Sequence, residues 1–346
     1  MNSFFFTDYQ AIFYICHIKQ HGIKRKQWTK ELLRQKRVQD EKKIYDYRSL
    51  TENVLNMRDE KIYSIEALKK TSELLEKNPE FNAIWNYRRD IIASLASELE
   101  IPFWDKELVF VMMLLKDYPK VYWIWNHRLW VLKHYPTSSP KVWQTELAVV
   151  NKLLEQDARN YHGWHYRRIV VGNIESITNK SLDKEEFEYT TIKINNNISN
   201  YSAWHQRVQI ISRMFQKGEV GNQKEYIRTE ISYIINAMFT DAEDQSVWFY
   251  IKWFIKNDIV CKTLDEQEYL KMLKDLRENI LLINNDEIEF SGKQNIWCLK
   301  ILLVLEDILE EKEALTERSS EQYLVQLIDA DPLRKNRYLH LLEQHK

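Results

Sequence analysis

The sequence predicts an all-α fold, an α-solenoid of antiparallel helix pairs, on three observations. Six glycines and six prolines in 346 residues are too few for long β-meanders with many tight turns. Apolar residues recur at three- and four-residue spacing where the chain can be read in register. A tryptophan returns at positions 85, 125, 164, 204, 248 and 297, at intervals of 40, 39, 40, 44 and 49 residues. Each interval holds two helices and two turns. One such pair cannot bury its apolar faces alone, whereas stacked pairs make a continuous core.

Composition narrows the class. The chain is 44% hydrophobic and 29% charged, enough to bury a substantial core. Its 50 basic and 51 acidic residues leave a net charge of -1, which gives no support to nucleic-acid or membrane-surface binding by the chain as a whole. Cys16, Cys261 and Cys298 lie far apart and in no CxxC pair, so neither a disulfide framework nor a cysteine zinc site is indicated, and a reducing, cytosolic setting fits. No uninterrupted apolar run approaches the roughly 20 residues needed to span a bilayer.

Along the chain, residues 1–20 stand apart as an extension. They are aromatic-rich but lack a basic n-region and a small-residue cleavage site, and Asp8 and Gln10 interrupt the apolar stretch, so they do not read as a signal peptide. Residues 21–62 read as a basic helical arm; the run from Lys19 to Lys43 holds ten Lys/Arg against three acids, the pattern of a solvated helix. Residues 63–346 read as a helical-repeat domain of about six tryptophan-centred pairs.

The first pair shows the logic. In "SIEALKKTSELLEKNPE" the apolar face is Ile65, Leu68 and Leu75 with Ala67, Thr71 and Leu74, and the helix stops at Asn78-Pro79 because proline disfavours helix before it. A second helix starts near Asn82. Ile84, Tyr87, Arg88, Ile91 and Leu95 line one face, with Trp85 on an adjacent edge where it wedges against a neighbour. Arg88, Arg128, Arg167 and Arg207 each follow a tryptophan by three residues, on the same side of the helix. A guanidinium there is expected to bond carbonyls at the end of the adjacent helix and tie repeat to repeat. The fifth and sixth units carry Ile251 and Lys300 instead.

Motifs for chemistry within the chain are absent: no GxGxxG, no GxxxxGK[ST], no GxSxG and no HExxH. His162 and His165 lack further ligands at zinc spacing and read as helix-start packing and capping. By its residues alone the chain is a repeat scaffold that binds a partner.

The stretches "NAIWNYRR", "YWIWNHR", "NYHGWHYRR" and "NYSAWHQR" resemble the repeats of protein prenyltransferase alpha subunits, over roughly residues 21 to 340. Tetratricopeptide arrays differ, with a period of about 34 and another signature. The stretches "NAMFTDAEDQSVWFYIKW" and "HGIKRK" resemble the type II (Rab) geranylgeranyltransferase alpha subunits more than the alpha subunit shared by farnesyltransferase and type I geranylgeranyltransferase. Members usually begin Met-His-Gly, whereas here Gln20 precedes His21 and Gly22. Animal members add immunoglobulin-like and leucine-rich domains, and with no leucine-rich period here a helical-domain-only version is expected.

The resemblance implies a right-handed superhelix that works in the cytoplasm as one half of a heterodimer. A beta subunit is expected to hold zinc, with no cofactor in this chain, and Rab GTPases are expected to be presented by an escort protein. The pair would transfer geranylgeranyl from its diphosphate to C-terminal cysteines of Rab. The alternatives are the alpha subunit of farnesyltransferase and type I geranylgeranyltransferase, or a non-catalytic helical-repeat adaptor.

The resemblance also assigns residues. "PKVYWIW" supplies Lys120 and Tyr122, and "NYHGW" supplies Asn160, Tyr161 and His162. Lys120, Tyr161 and His162 are implied to act catalytically on the leaving diphosphate, with Tyr122 and Asn160 binding substrate. All precede or begin the second helices of consecutive repeats, so they are expected on one rim, where helix N-termini favour an anion. Val121 stands where the family often has a capping asparagine, which leaves the placement of Lys120 less supported.

Overall fold

The computed structural model describes residues 29–137, 139–312, 314 and 319–344. The extension at 1–20, residues 21–28 of the basic arm, and Cys16 lie outside the described residues. Among the described residues there are sixteen α-helices, one 3-10 turn and no strand.

The helices are α1 (Lys30–Asp59), α2 (Ile65–Lys77), α3 (Asn82–Ser94), α4 (Ile101–Asp117), α5 (Tyr122–His134), α6 (Pro140–Gln156), α7 (Tyr161–Thr178) and α8 (Asp183–Asn196). They continue with α9 (Tyr201–Gln216), α10 (Gln223–Thr240), α11 (Gln245–Lys256), α12 (Asp258–Thr263), α13 (Glu266–Ser291), α14 (Ile296–Glu311), α15 (Ser320–Ala330) and α16 (Lys335–Gln344). Packing divides them into two compact units, one running to Val150 and including His162–Val170, the other comprising Asn151–Tyr161 and the chain from Val171.

Local signals set the boundaries. The Ser64 hydroxyl accepts from the Ala67 N–H at 3.1 Å and starts α2, while Asn200, Asn222 and Asp244 cap α9, α10 and α11 in the same way. Asp265 and Glu268 form a reciprocal capping box on α13. That helix ends at Gly292, whose φ of 71° lies in the left-handed region that glycine enters without strain.

In the first unit, α1 leaves Leu33, Val38, Ile44 and Tyr45 exposed, while Val54 is buried and Tyr47 accepts a 2.8 Å bond from Asn78. Helix α1 is therefore solvated in its first half and packed in its second. Ala67, Leu68, Thr71, Leu74 and Leu75 form the buried face of α2, but Ile65, expected with them, is half exposed. At 100° per residue it lies about 120° round the helix from the centre of that buried face.

The tryptophans share one device. The indole N–H of Trp85 donates to the Pro79 carbonyl at 2.8 Å and that of Trp125 to Pro119 at 2.9 Å. In the second unit Trp204 donates to Ile198 at 2.8 Å and Trp248 to Ala242 at 2.9 Å. Each bond reaches back six residues into the turn between paired helices, so the ring fills the core while its polar edge is satisfied. Trp297 departs from this: it is only part-buried, set edge-on to Phe249 at 5.5 Å and covered by the Lys300 ammonium at 4.8 Å.

The arginines tie repeats by a route the sequence reading did not foresee. Arg88 grips Glu107 of α4 through two bonds of 2.7 and 2.6 Å, and Arg128 grips Glu146 of α6 at 2.6 and 2.7 Å. In the second unit Arg207 holds Glu230 of α10 at 2.7 Å twice. Carbonyl contacts exist, from Arg88 to Leu68 and from Arg128 to Leu108, but they reach the preceding helix of the same pair and not the next repeat. A buried glutamate, not a helix-end carbonyl, makes the inter-repeat link. Lys300, at the arginine position of the sixth unit, pairs with Asp331 at 3.1 Å.

Candidate active site

Lys120 is an exposed residue of the short turn between α4 and α5. Val121 follows as the N-cap of α5, buried and making no side-chain cap bond, so the first N–H groups of that helix receive no side-chain cap there. Tyr122 opens α5, half exposed, with its ring edge-on to Trp123 at 5.1 Å.

His162 is the second residue of α7 and is partly buried. Its imidazole is hydrogen-bonded to the Lys120 backbone, and its ring centre lies 6.0 Å from that of Tyr122. The first unit thus brings Lys120, Tyr122 and His162 together. The lysine turn, uncapped by Val121, is held from the next repeat by this tether and from its own repeat by the Trp125 bond to Pro119.

Burial pushes the His162 imidazole below its ordinary value, and His165 adds to that, while the bond to Lys120 and the field of Glu80 oppose it. A neutral imidazole has one N–H. The bond that holds the lysine turn occupies it.

Asn160 and Tyr161 belong to the other unit. Asn160 is buried immediately before α7 with its backbone N–H bonded to Asp157 at 3.1 Å, and Tyr161 begins the helix with 73% of its surface exposed. The tether from His162 to the Lys120 backbone and the influence of Glu80 were both missed in the sequence. A faint signal existed: Glu80 and Lys120 hold the same register, five residues before successive tryptophans.

Among the described residues, no three His, Cys, Asp or Glu side chains gather in a way that could hold a metal ion. No described helix is long and apolar enough to cross a membrane. What Lys120, Tyr122 and His162 offer chemically is an ammonium, a phenol and an imidazole beside the N-terminus of α5, a set suited to an anion with several oxygens.

The chain matches the protein prenyltransferase alpha subunit repeat over residues 65–95, 104–135, 143–174 and 183–214. These are four of the tryptophan-centred pairs, and they define a repeat protein of the prenyltransferase alpha-subunit class. It is 36% identical to the geranylgeranyl transferase type-2 subunit alpha of Candida albicans, over 93% of this chain and 97% of that one. Against the protein of the same name from Schizosaccharomyces pombe it is 36% identical, over 94% of this chain and 98% of the relative. The chain belongs to the family of geranylgeranyl transferase type-2 alpha subunits. Its fold is also that of a chain in the solved structure of Candida albicans protein geranylgeranyltransferase-I complexed with GGPP, with a TM-score of 0.64, 19% identity and coverage of 87% of this chain and 91% of that one.

Proposed function

We propose that this chain is the alpha half of a heterodimer that transfers geranylgeranyl from geranylgeranyl diphosphate to C-terminal cysteines of Rab GTPases, with Rab presented by an escort protein in the cytoplasm. Support comes from the family, from the resemblance of the site motifs, and above all from the meeting of Lys120, Tyr122 and His162 at the starts of two successive second helices. Zinc is assigned to the beta subunit, where it would hold the substrate cysteine as thiolate. Nothing in this chain is proposed as its ligand. Metal analysis of the purified single chain should find no stoichiometric zinc, and one tightly held ion would overturn that division.

In the transfer, a carbon–sulfur bond forms at carbon 1 of the lipid as the carbon–oxygen bond to diphosphate breaks. Negative charge grows on the leaving oxygens, and fixed donors aimed there lower the barrier more than they strengthen ground-state binding. Lys120 supplies a full positive charge. Tyr161 supplies a phenolic donor, and Tyr122 and Asn160 position substrate, as the resemblance assigns. His162 donates to the diphosphate only as imidazolium, because its neutral N–H is held by the Lys120 backbone. Diphosphate binding is therefore coupled to proton uptake at this ring.

The deciding experiment is single-turnover transfer by the heterodimer preloaded with geranylgeranyl diphosphate. Loss of chemical rate in Lys120→Ala supports the reading. Wild-type rates in both Lys120→Ala and His162→Ala would leave the chain a scaffold.

A further inference from the structure

The buried glutamates that join repeats are each met from a third side, by the residue two positions after the next tryptophan. Tyr166 and Tyr250 fill this place with a phenol, 2.8 Å from Glu146 and 2.6 Å from Glu230. His127 fills it at the joint between the first two repeats, with Nε2 2.7 Å from Glu107 Oε1. The ring contact to the preceding tryptophan is kept in all three, at 4.7 Å for His127 on Trp85, 5.2 Å for Tyr166 on Trp125 and 4.8 Å for Tyr250 on Trp204.

An imidazole has a second nitrogen that a phenol lacks. Nδ1 of His127 is fully buried and meets no hydrogen-bond partner among the described residues. Trp85 lies on one side, and Trp130 stacks on the ring at 5.7 Å. While the ring is neutral, Nε2–H donates to the Glu107 carboxylate and Nδ1 carries only a lone pair. A second proton would place an N–H there with no acceptor, in a slot of aromatic carbon, which is a costly way to bury a donor.

We propose that His127 makes the joint between the first and second repeats an acid-sensitive latch, closed while the imidazole is neutral and opened when it takes a second proton. The charged groups facing the ring are Glu107 on α4 and Arg88 and Arg89 on α3. Burial pushes His127 below its ordinary 6.5, Glu107 pulls it back, and the two arginines push it down again. A folded value below the unfolded one means that the contribution of His127 to stability is intact above about pH 6.5 and is lost as pH falls through the folded value. Glu107 is held at about 2 and stays ionised across that window. No phenol changes charge there, so joints closed by Tyr166 and Tyr250 are silent in mild acid.

Helix α5 carries both His127 and Tyr122, and the Lys120 turn enters it. Opening the latch therefore loosens that turn, a consequence that rests on the role given to Lys120 above, whereas the latch itself does not. Hydrogen exchange of the full chain at about pH 7.5 and about pH 5.5, corrected for intrinsic amide chemistry, reads the latch without using catalysis. Peptides from α4 and α5 are expected to exchange on the order of tenfold faster at the lower pH, with α10 and α11 unchanged. His127→Tyr, copying Tyr166 and Tyr250, should abolish the acceleration. His127→Gln, copying Gln206 at the same register of the fourth repeat, should do the same and decides the matter if the tyrosine variant does not fold. Equal protection of α4 and α5 at both pH values in the wild type, or acceleration that persists in the folded variants, would overturn the latch.

Discussion

Arg128 meets Glu146 through two parallel bonds, Nε to Oε1 at 2.6 Å and Nη2 to Oε2 at 2.7 Å, with both side chains buried. Tyr166 donates to the same carboxylate at 2.8 Å, and the remaining Arg128 amino group reaches the Leu108 carbonyl at 2.8 Å. A bidentate pair survives removal from water only when its donors and acceptors are met in this way. The link runs from the second helix of one pair to the first helix of the next, so it fixes repeat against repeat.

Breaking that link from one side should cost far more than removing it whole. Arg128→Ala or Glu146→Ala is expected to destabilise the chain by about 3–5 kcal/mol, because an unpaired charge stays behind. Arg128→Met combined with Glu146→Leu should recover much of the loss. Denaturant midpoints of the three variants check this, and single variants as stable as the double would refute it.

The acid limb of stability should carry the mark of Glu107. Burial raises this carboxyl, but Arg88 and then His127 outweigh it and hold it at about 2 instead of the ordinary 4.5. Its folded value is depressed, so its contribution is present above the unfolded value and is lost as pH falls through about 2. Glu107→Gln should flatten the fall in stability across that interval, measured by chemical denaturation at stepped pH.

Burial of the tryptophans predicts their rank. Trp164 is almost wholly buried, and Trp164→Ala should cost on the order of 3–5 kcal/mol. Trp297 is part-buried, so Trp297→Ala should cost well under half as much. Thermal unfolding of both variants distinguishes this order from a uniform one.

For Lys120→Ala the expected loss in single-turnover transfer is roughly 10- to 1000-fold, with heterodimer assembly intact and lipid affinity reduced less. A lysine that merely faces solvent would leave the rate unchanged.

His162 should make binding of geranylgeranyl diphosphate depend on pH. Burial lowers its value in the unliganded chain, so the ring is neutral at physiological pH and must gain a proton to donate to an anion. Affinity should therefore strengthen as pH falls from about 8 to about 6, with proton uptake visible by calorimetry in buffers of different ionisation heat. His162→Gln should remove the dependence, and an unchanged slope in that variant would rule the coupling out.

The repeating tryptophan, the arginine three residues later and the proline-marked turns were legible as sequence, because each follows from local geometry. A ring placed six residues after a turn carbonyl can reach back to it whatever the rest of the fold does. The same locality put Lys120 in a turn and Tyr122 and Tyr161 at helix starts, and the motif match singled them out.

The partners across repeats were decided only by tertiary structure. Glu107, Glu146 and Glu230 follow their arginines by 19, 18 and 23 residues, an uneven interval on helices that carry many other acids. In sequence each looks like a solvated charge. It becomes the anchor of a joint only when packing removes water from it and leaves a guanidinium as its available counter-charge. Ile65 shows the converse: three-residue spacing to Leu68 put it with the apolar face, yet it lies about 120° round the helix from the centre of the face that packing buries, and it is half exposed. The bond from His162 that holds the Lys120 turn is likewise set by which two helix starts come together, a property of the packed array and not of either stretch of chain.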